Sequence, residues 1–207
     1  MVTFLDSALD EIKRWRASLR TYGDTWGTTE AERAAPFPVD TVLPAASQWL
    51  FRGVDVDAPP AVTFRRLCQL RVAPYSYDWL DNLGRQSPDE LTPGLDEIEV
   101  GQDCMTIFRI VDVEPGESIT MRTKSTSVFG DVAVTYRVVP VGDGRSRIVV
   151  KLGVTYPEGL HGELMHDVLP AGDLFMMRKQ LQTLATLAAR DAVVRSDLPG
   201  DEAGRGE

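Results

Sequence analysis

The sequence predicts one α+β domain in which an antiparallel sheet packs against a long C-terminal helix. Two changes in the spacing of apolar residues lead to this prediction. Apolar side chains alternate with period two between residues 105 and 154, which is typical of strands, and turns at Glu114–Glu117 and Val141–Gly144 separate the alternating runs. After Pro170 the apolar residues recur every three or four positions, which is typical of a helix.

The elements follow in a simple order. Trp49–Val56 is predicted to be a strand, and the prolines after it favour a helix from Pro60 to about Leu70, because proline is tolerated in a first helical turn. Four antiparallel strands are expected next, for a sheet of about five to seven strands. The last helix is predicted to begin at Asp173 as its N-cap and to end near Val194, with a buried face of Leu174, Met177, Leu181, Leu184 and Ala188.

The N-terminal part is predicted to be a separate amphipathic helix and an arm. Apolar residues recur at helical spacing from Phe4 to Tyr22, acidic residues precede basic ones, and an irregular arm follows from Asp24 to Pro44. We therefore divide the chain into the helix and arm (residues 1–46), the main domain (47–195) and a disordered acidic tail (196–207). The apolar face of the helix Phe4–Tyr22 could pack on this domain, pack on a second copy in a homodimer, or bind a membrane surface. The mixed charges of the helix make the membrane surface the least favoured of the three.

Charge and cysteine content disfavour several classes of protein. With 22 Lys and Arg against 31 Asp and Glu, the net charge of −9 disfavours binding to nucleic acid and to anionic lipid. Cys68 and Cys104 stand alone, so free thiols in a reducing cytoplasm are expected. No signal peptide is evident, and no apolar run approaches the roughly 18 residues that cross a bilayer. We expect a cytoplasmic protein without cofactor or membrane insertion.

The two histidines of the chain do not predict a metal site. His161 and His166 are five residues apart, within a polar connection expected at Glu158–Asp167, and no further ligand completes a set with them. We expect both side chains at the surface of that connection.

Several stretches resemble one protein superfamily. Val54–Pro60, Val100–Gly101, Val113–Pro115 and Phe175–Leu181 are similar to segments of the START / polyketide cyclase / birch-pollen-allergen superfamily (SRPBCC), and YSYDWLDN at Tyr75–Asn82 resembles a stretch of one bacterial subgroup. The resemblance covers Trp49 to Arg190. It implies a helix-grip fold, in which a curved antiparallel sheet wraps around a long C-terminal helix and a cavity lies between them. Since the superfamily includes lipid carriers, hormone receptors and cyclases, the fold does not decide the function.

Aromatic and apolar residues supply most candidate ligand contacts. Tyr75, Tyr77 and Trp79 suit the wall or mouth of an apolar pocket, although the anchoring of their segment to the sheet is the somewhat favoured interpretation. The other apolar candidates share the faces expected between sheet and helix, where they either contact a ligand or fill the core: Met121, Tyr136, Met177 and Leu181.

Arg109 is the charged candidate. It stands at an apolar-parity position between Ile107 and Val111, so we expect it to point inward. A buried arginine requires an anion or an acceptor, which is either the acidic head group of a ligand or an internal carboxylate.

The leading functional prediction is a binding protein for a small hydrophobic or amphipathic molecule held between sheet and helix. Two alternatives remain open at this point: a cyclase/dehydratase-type enzyme that uses the same cavity, and a non-catalytic interaction module with a filled core. The sequence leaves open whether there is any catalysis and which ligand is bound.

Overall fold

The computed structural model describes residues 21–77, 79, 84–126 and 130–196. The predicted helix Phe4–Tyr22 therefore lies outside the described residues except for its last two positions, which are helical. Most of the predicted acidic tail lies outside them as well.

Within the described residues, six strands form one antiparallel sheet in the order β1-β6-β5-β4-β3-β2. This confirms the predicted class of fold and the expected number of strands. The strands are β1 (Gln48–Val56), β2 (Asp103–Cys104), β3 (Phe108–Glu114), β4 (Ser118–Thr123), β5 (Asp131–Pro140) and β6 (Ser146–Thr155).

Besides the helical residues 21–25, four helices with both ends in the described part of the chain accompany the sheet. Pro60–Cys68 continues into a 3-10 turn at Gln69–Arg71, which confirms the predicted helix after β1. The helices are α1 (Glu30–Ala34), α2 (Val39–Val42), α3 (Pro60–Cys68) and α4 (Leu160–Ser196). The long α4 packs against β1 and α3, which gives the helix-grip arrangement.

The start of α4 corrects the prediction made for Asp173. The helix begins at Leu160, 13 positions before Asp173, and Pro170 lies inside it. Asp173 is no cap, because its carboxylate accepts a hydrogen bond from Arg52 on β1 instead. His166 accordingly lies on α4 and not in a connection, and its ring meets that of Tyr156 edge-on at 5.3 Å.

One face of the sheet, which we call the inner face, packs against α4. Its buried apolar residues alternate along β5 and β6 as predicted, and α4 contributes four of the five residues of the predicted stripe, whereas Leu174 is only half-buried. The members are Val132, Val134, Tyr136 and Val138 on β5, Ile148, Val150, Leu152 and Val154 on β6, and Met177, Leu181, Leu184 and Ala188 on α4.

The opposite face, which we call the outer face, is covered by residues 29–46. Phe37, Val39 and Leu43 are buried there against Ala133 and Val149. This arm was expected to be irregular, yet it contains α1 and α2. A capping box holds the start of α1, because Thr29 accepts from the Glu32 amide while the Glu32 carboxylate accepts from the Thr29 amide.

Candidate functional site

The layer between the inner face and α4 brings together four of the predicted site residues. Met121 and Tyr136 lie on neighbouring strands, while Met177 and Leu181 lie one turn apart on α4. All four are buried in the same apolar cluster. Strand alternation places every second residue of a strand in this layer, and helical spacing places one face of α4 in it. These two patterns position the four side chains.

Gln180 is the polar centre of this layer, and the sequence did not single it out. Tyr136 Oη donates to Gln180 Oε1 at 2.7 Å, while Gln180 Nε2 donates to the Pro74 carbonyl at 2.7 Å. Two thioethers adjoin the same groups, with Met105 Sδ 3.2 Å from Gln180 Nε2 and Met177 Sδ 3.4 Å from Tyr136 Oη. A buried amide thus joins the sheet, the helix and the segments around Pro74 and Met105.

Burial keeps the Tyr136 hydroxyl protonated. Loss of solvent raises its pKa well above 10, and the nearby Cys104 and Asp173 raise it further, while the hydrogen bond to Gln180 acts in the opposite direction. The phenol is therefore a neutral hydrogen-bond donor at every physiological pH.

Strained backbone flanks Gln180 on two sides. Tyr75, which follows Pro74, has φ of 55°, and Met105 and Thr106 have φ of 45° and 64°. Left-handed backbone is costly for residues with a side chain, so the surrounding structure must hold it in place. Because both segments contact Gln180, their strain is concentrated at the centre of the layer.

Two buried ion pairs attach α4 to the rest of the domain. Arg52 Nη2 on β1 lies 2.6 Å from Asp173 Oδ2. Arg66 on α3 donates two hydrogen bonds to the Asp191 carboxylate, from Nε to Oδ2 at 2.5 Å and from Nη2 to Oδ1 at 2.7 Å. Desolvation raises the pKa of Asp173, although Arg52 counteracts this effect.

The stripe that carries these groups has a signal in the sequence. Asp173, Met177, Gln180, Leu184 and Asp191 recur at steps of three, four or seven residues on α4, so they share one face of the helix. Three polar residues in an otherwise apolar stripe indicate buried partners, and a search for such exceptions finds Asp173, Gln180 and Asp191.

Of the three aromatic candidates, Tyr75 reaches the interior and the other two lie at its edge. Tyr75 is 1% exposed. Tyr77 stacks on Phe175 of α4, with ring centroids 4.3 Å apart and planes within 4°. Trp79 is 72% exposed just beyond this stack. The segment therefore passes from the core to the surface beside α4.

Arg109 corrects the expected inward orientation. Its side chain is 57% exposed on β3 and pairs with Asp103 at 3.4 Å. Phe108 and Ile110 face the interior instead. Residues of both parities are apolar in this strand, so alternation alone does not choose the face, and an irregular register between Ile110 and Asp112 shifts the parity again.

The cysteines are buried and unreactive by their environment. Desolvation raises the pKa of Cys68 and that of Cys104 to about 12. Among the residues described, no three His, Cys, Asp or Glu side chains are grouped as a metal site would need. No helix in the described part of the chain is long and apolar enough to cross a bilayer.

Comparisons with solved structures give similar but distant folds. A protein of Mesorhizobium loti is 15% identical, covers 73% of this chain and 100% of its own, and has a TM-score of 0.46. A protein of Thermobifida fusca is also 15% identical, with 69% and 93% covered and a TM-score of 0.47. The Zhui aromatase/cyclase of a Streptomyces species is 14% identical, with 74% and 98% covered and a TM-score of 0.44.

The sequence itself matches a family model. No curated protein matches the chain. The model of the family described as polyketide cyclase / dehydrase and lipid transport matches residues 51–189, from β1 to the last third of α4. Since this match spans well over half of the chain, the protein belongs to that family.

Proposed function

We propose that the protein binds a small hydrophobic or amphipathic molecule between the inner face of the sheet and α4. The observation that carries this proposal is the convergence of polar groups on Gln180 within a buried apolar layer. Ligand sites in proteins are typically apolar, with a few polar groups that orient the ligand. Gln180 and Tyr136 supply such groups here.

The side chains around Gln180 suit a ligand of adaptable shape. Met105, Met121 and Met177 border the layer, and methionine is flexible and polarizable enough to fit different apolar surfaces. The stacked rings of Tyr77 and Phe175 lie on the exposed side of α4, where Phe175 is 55% exposed.

The experiment is a titration with an apolar fluorescent dye whose emission rises in a dry environment. We expect the full chain to bind with a Kd of roughly micromolar, since about 300 Å² of buried apolar ligand surface contributes about 7.5 kcal/mol before association costs. Met177→Trp fills the layer and is expected to weaken binding about tenfold or more. Gln182→Trp places the same ring on the exposed side of α4 and serves as the matched control.

The outcome separates the proposal from a filled interaction module. Dye binding that Met177→Trp weakens and Gln182→Trp leaves unchanged supports the proposal. If the wild-type protein binds no dye, or both variants bind equally well, the layer is a packed core and the proposal is wrong. Circular dichroism of each variant shows that its fold is retained.

A cyclase-type activity in the same layer is the second candidate, and the neutral Tyr136 hydroxyl favours it. The phenol stays protonated and donates its one proton to Gln180 Oε1, so in the reaction it exchanges this bond for one to the carbonyl oxygen that gains negative charge during ring closure. The test uses a linear thioester with 1,3-dicarbonyl groups, and ring formation is followed by absorbance. We expect Tyr136→Phe to lower the rate at least about a hundredfold while dye affinity changes little. Equal rates in both proteins would remove Tyr136 from the chemistry.

A further inference from the structure

Two buried donors at the far end of the layer have no acceptor. Arg66 is 0% exposed and Tyr75 is 1% exposed. Among the described residues, neither Arg66 Nη1 nor Tyr75 Oη has a hydrogen-bond partner. Arg66 donates from Nε and Nη2 to the Asp191 carboxylate, which leaves Nη1 as the nitrogen without an acceptor. Buried donors without acceptors are costly, and each one in a native structure requires an explanation.

The two donors lie beside each other. Burial raises the pKa of the Tyr75 hydroxyl, while the charge of Arg66 and a contact of its guanidinium at hydrogen-bonding range lower it. Nη1 can donate hydrogen bonds but cannot accept one, and the hydroxyl has one proton to donate. Even if the hydroxyl oxygen accepts from Nη1, the pair keeps more protons than acceptors. The group that completes it must supply an acceptor.

The charges around the pair favour an uncharged acceptor. Asp191 neutralises Arg66 through the bidentate contact, so the site has no net positive charge to attract an anion. Asp89 and Asp191 both act on Tyr75 as negative charges. A carboxylate placed there would lose its hydration next to two carboxylates, whereas a carbonyl oxygen would accept both bonds without that cost.

The donors are continuous with the site around Gln180. Gln180 holds the Pro74 carbonyl, and the next residue is Tyr75. Along α4, the 11 residues from Gln180 to Asp191 span about 16 Å. Leu184 and Leu187 are buried between these two positions on the same helix. An apolar stretch of about this length thus separates two polar ends.

We infer that Arg66 and Tyr75 bind an uncharged carbonyl oxygen, as in a ketone, ester or amide, at one end of an apolar ligand. This inference rests on the proposed function, because the ligand occupies the same layer. It assigns the ligand a class, a neutral chain with a carbonyl group, and it sets aside the acidic head group first considered for Arg109.

The experiment measures displacement of the apolar dye by three probes of equal length: undecan-2-one, undecane and undecanoate. We expect the wild-type protein to prefer the ketone over both other probes by about tenfold, as one good hydrogen bond allows. Tyr75→Phe is expected to lower the ratio of ketone to hydrocarbon affinity about threefold or more, because only Arg66 Nη1 still donates to the ketone, while leaving the affinity for undecane unchanged. Its Tm should stay equal or rise, because the lost hydroxyl has no partner in the protein.

Two further variants keep the test sharp. Tyr22→Phe removes a hydroxyl from an exposed tyrosine and should leave every affinity unchanged. The double variant Arg66→Met with Asp191→Leu removes the ion pair as a unit, which avoids an isolated buried charge, and should also reduce the preference for the ketone.

The outcomes distinguish this inference from the proposed function. A reduced ketone preference in Tyr75→Phe, with hydrocarbon binding intact, supports it. If all three probes bind and the ratios are the same in wild type and Tyr75→Phe, or if undecanoate binds best, the inference is wrong and the binding function stands. If the dye binds and none of the probes displaces it, the inference is wrong and the binding function stands. If the dye itself does not bind, both are overturned.

Discussion

The two faces of the sheet are closed in different ways. On the outer face, short helices lay apolar side chains on the strands, and Lys151 lies 4.6 Å from the Trp49 ring and 5.7 Å from that of Phe37. Arg137 lies 4.3 Å from the same Phe37 ring. Cations there cover aromatic faces, and Lys151 also pairs with Asp40 of the arm.

On the inner face, one long helix covers the strands and carries its polar groups inward. Asp173, Gln180 and Asp191 all point from α4 toward partners on other elements. Three donors of the inner layer, Arg52 Nε among them, lack an acceptor within the described residues. A fourth such donor, Arg137 Nε, lies on the outer face. The comparison teaches that the faces differ in how they are covered: separate short helices close the outer face, whereas one long helix with inward polar groups closes the inner face.

The largest expected effect comes from a charge in the inner layer. Leu181→Asp buries a carboxylate without a partner at a fully buried position, so we expect a loss of more than about 4 kcal/mol in the free energy of unfolding, or no folded protein. Leu43→Asp on the outer face should cost only about 2 kcal/mol, because the short arm can lift off and expose the carboxylate. Urea unfolding followed by circular dichroism measures both.

This pair tests whether the arm is a separable layer. If Leu43→Asp unfolds the whole protein as completely as Leu181→Asp, the two faces form one cooperative unit and the comparison is wrong. Hydrogen exchange gives the finer measurement, since a released arm exchanges fast while the amides of β5 and β6 stay protected.

The inner face could be predicted from the sequence because its signal is periodic and long. Val132, Val134 and Tyr136 alternate without a break, and neither bulge nor proline disturbs the register of β5 with β6. In β3 the same method was wrong for Arg109, because both parities are apolar and a bulge intervenes. Periodicity therefore predicts a face only where one parity is polar.

The arm and the polar centre of the site illustrate two other limits. Thr29 and Glu32 form a capping box at the spacing that favours a helix start, yet α1 is five residues long and gives no apolar period. Gln180 was missed because the predicted stripe contains apolar residues alone; a polar exception in the stripe indicates a buried partner but does not say which residue that partner is. Tyr136 and Pro74 are 44 and 106 positions away from it in the sequence, so only the fold brings them together.

A second comparison uses one ion pair from each face. Arg52→Met leaves Asp173 without its cation on the inner side, and we expect a loss of about 3 kcal/mol. Arg147→Met removes contacts of 2.5 Å to Glu32 and 2.7 Å to Asp55 on the outer side, where water replaces them, so the expected loss is about 1 kcal/mol. Thermal unfolding of both variants gives the difference. Equal losses would mean that the arm buries its charges as deeply as α4 does.

Neighbouring residues on β5 allow a smaller and closely matched test. Thr135 faces outward and accepts a hydrogen bond of 3.0 Å from the Val39 amide, while Tyr136 faces inward to Gln180. Thr135→Val and Tyr136→Phe each remove one hydroxyl, and each should cost about 1 kcal/mol. Exchange of the Val39 amide should accelerate in Thr135→Val only. Acceleration in Tyr136→Phe as well would show that the two faces are coupled through the sheet.

The smallest expected effect is a difference in the sign of the pH dependence between two carboxyl groups. On the outer face, burial acts to raise the pKa of Glu32, but the bonds from Arg147 and Thr29 outweigh it and hold the pKa below the ordinary 4.5. Its stabilisation is therefore present above about pH 4.5 and lost as the pH falls through the lowered pKa. On the inner face, desolvation holds the pKa of Asp173 above the ordinary 3.8 despite Arg52. Its contribution is greatest below that value and is lost as the pH rises through the raised pKa.

We measure urea unfolding at several acidic pH values and compare the wild type with Glu32→Gln and with Asp173→Asn. As the pH falls, the free energy of unfolding of the wild type should decrease relative to that of Glu32→Gln. It should increase relative to that of Asp173→Asn, and each change should be at most about 1 kcal/mol. Slopes of the same sign would contradict the assignment of Asp173 to a drier environment than Glu32.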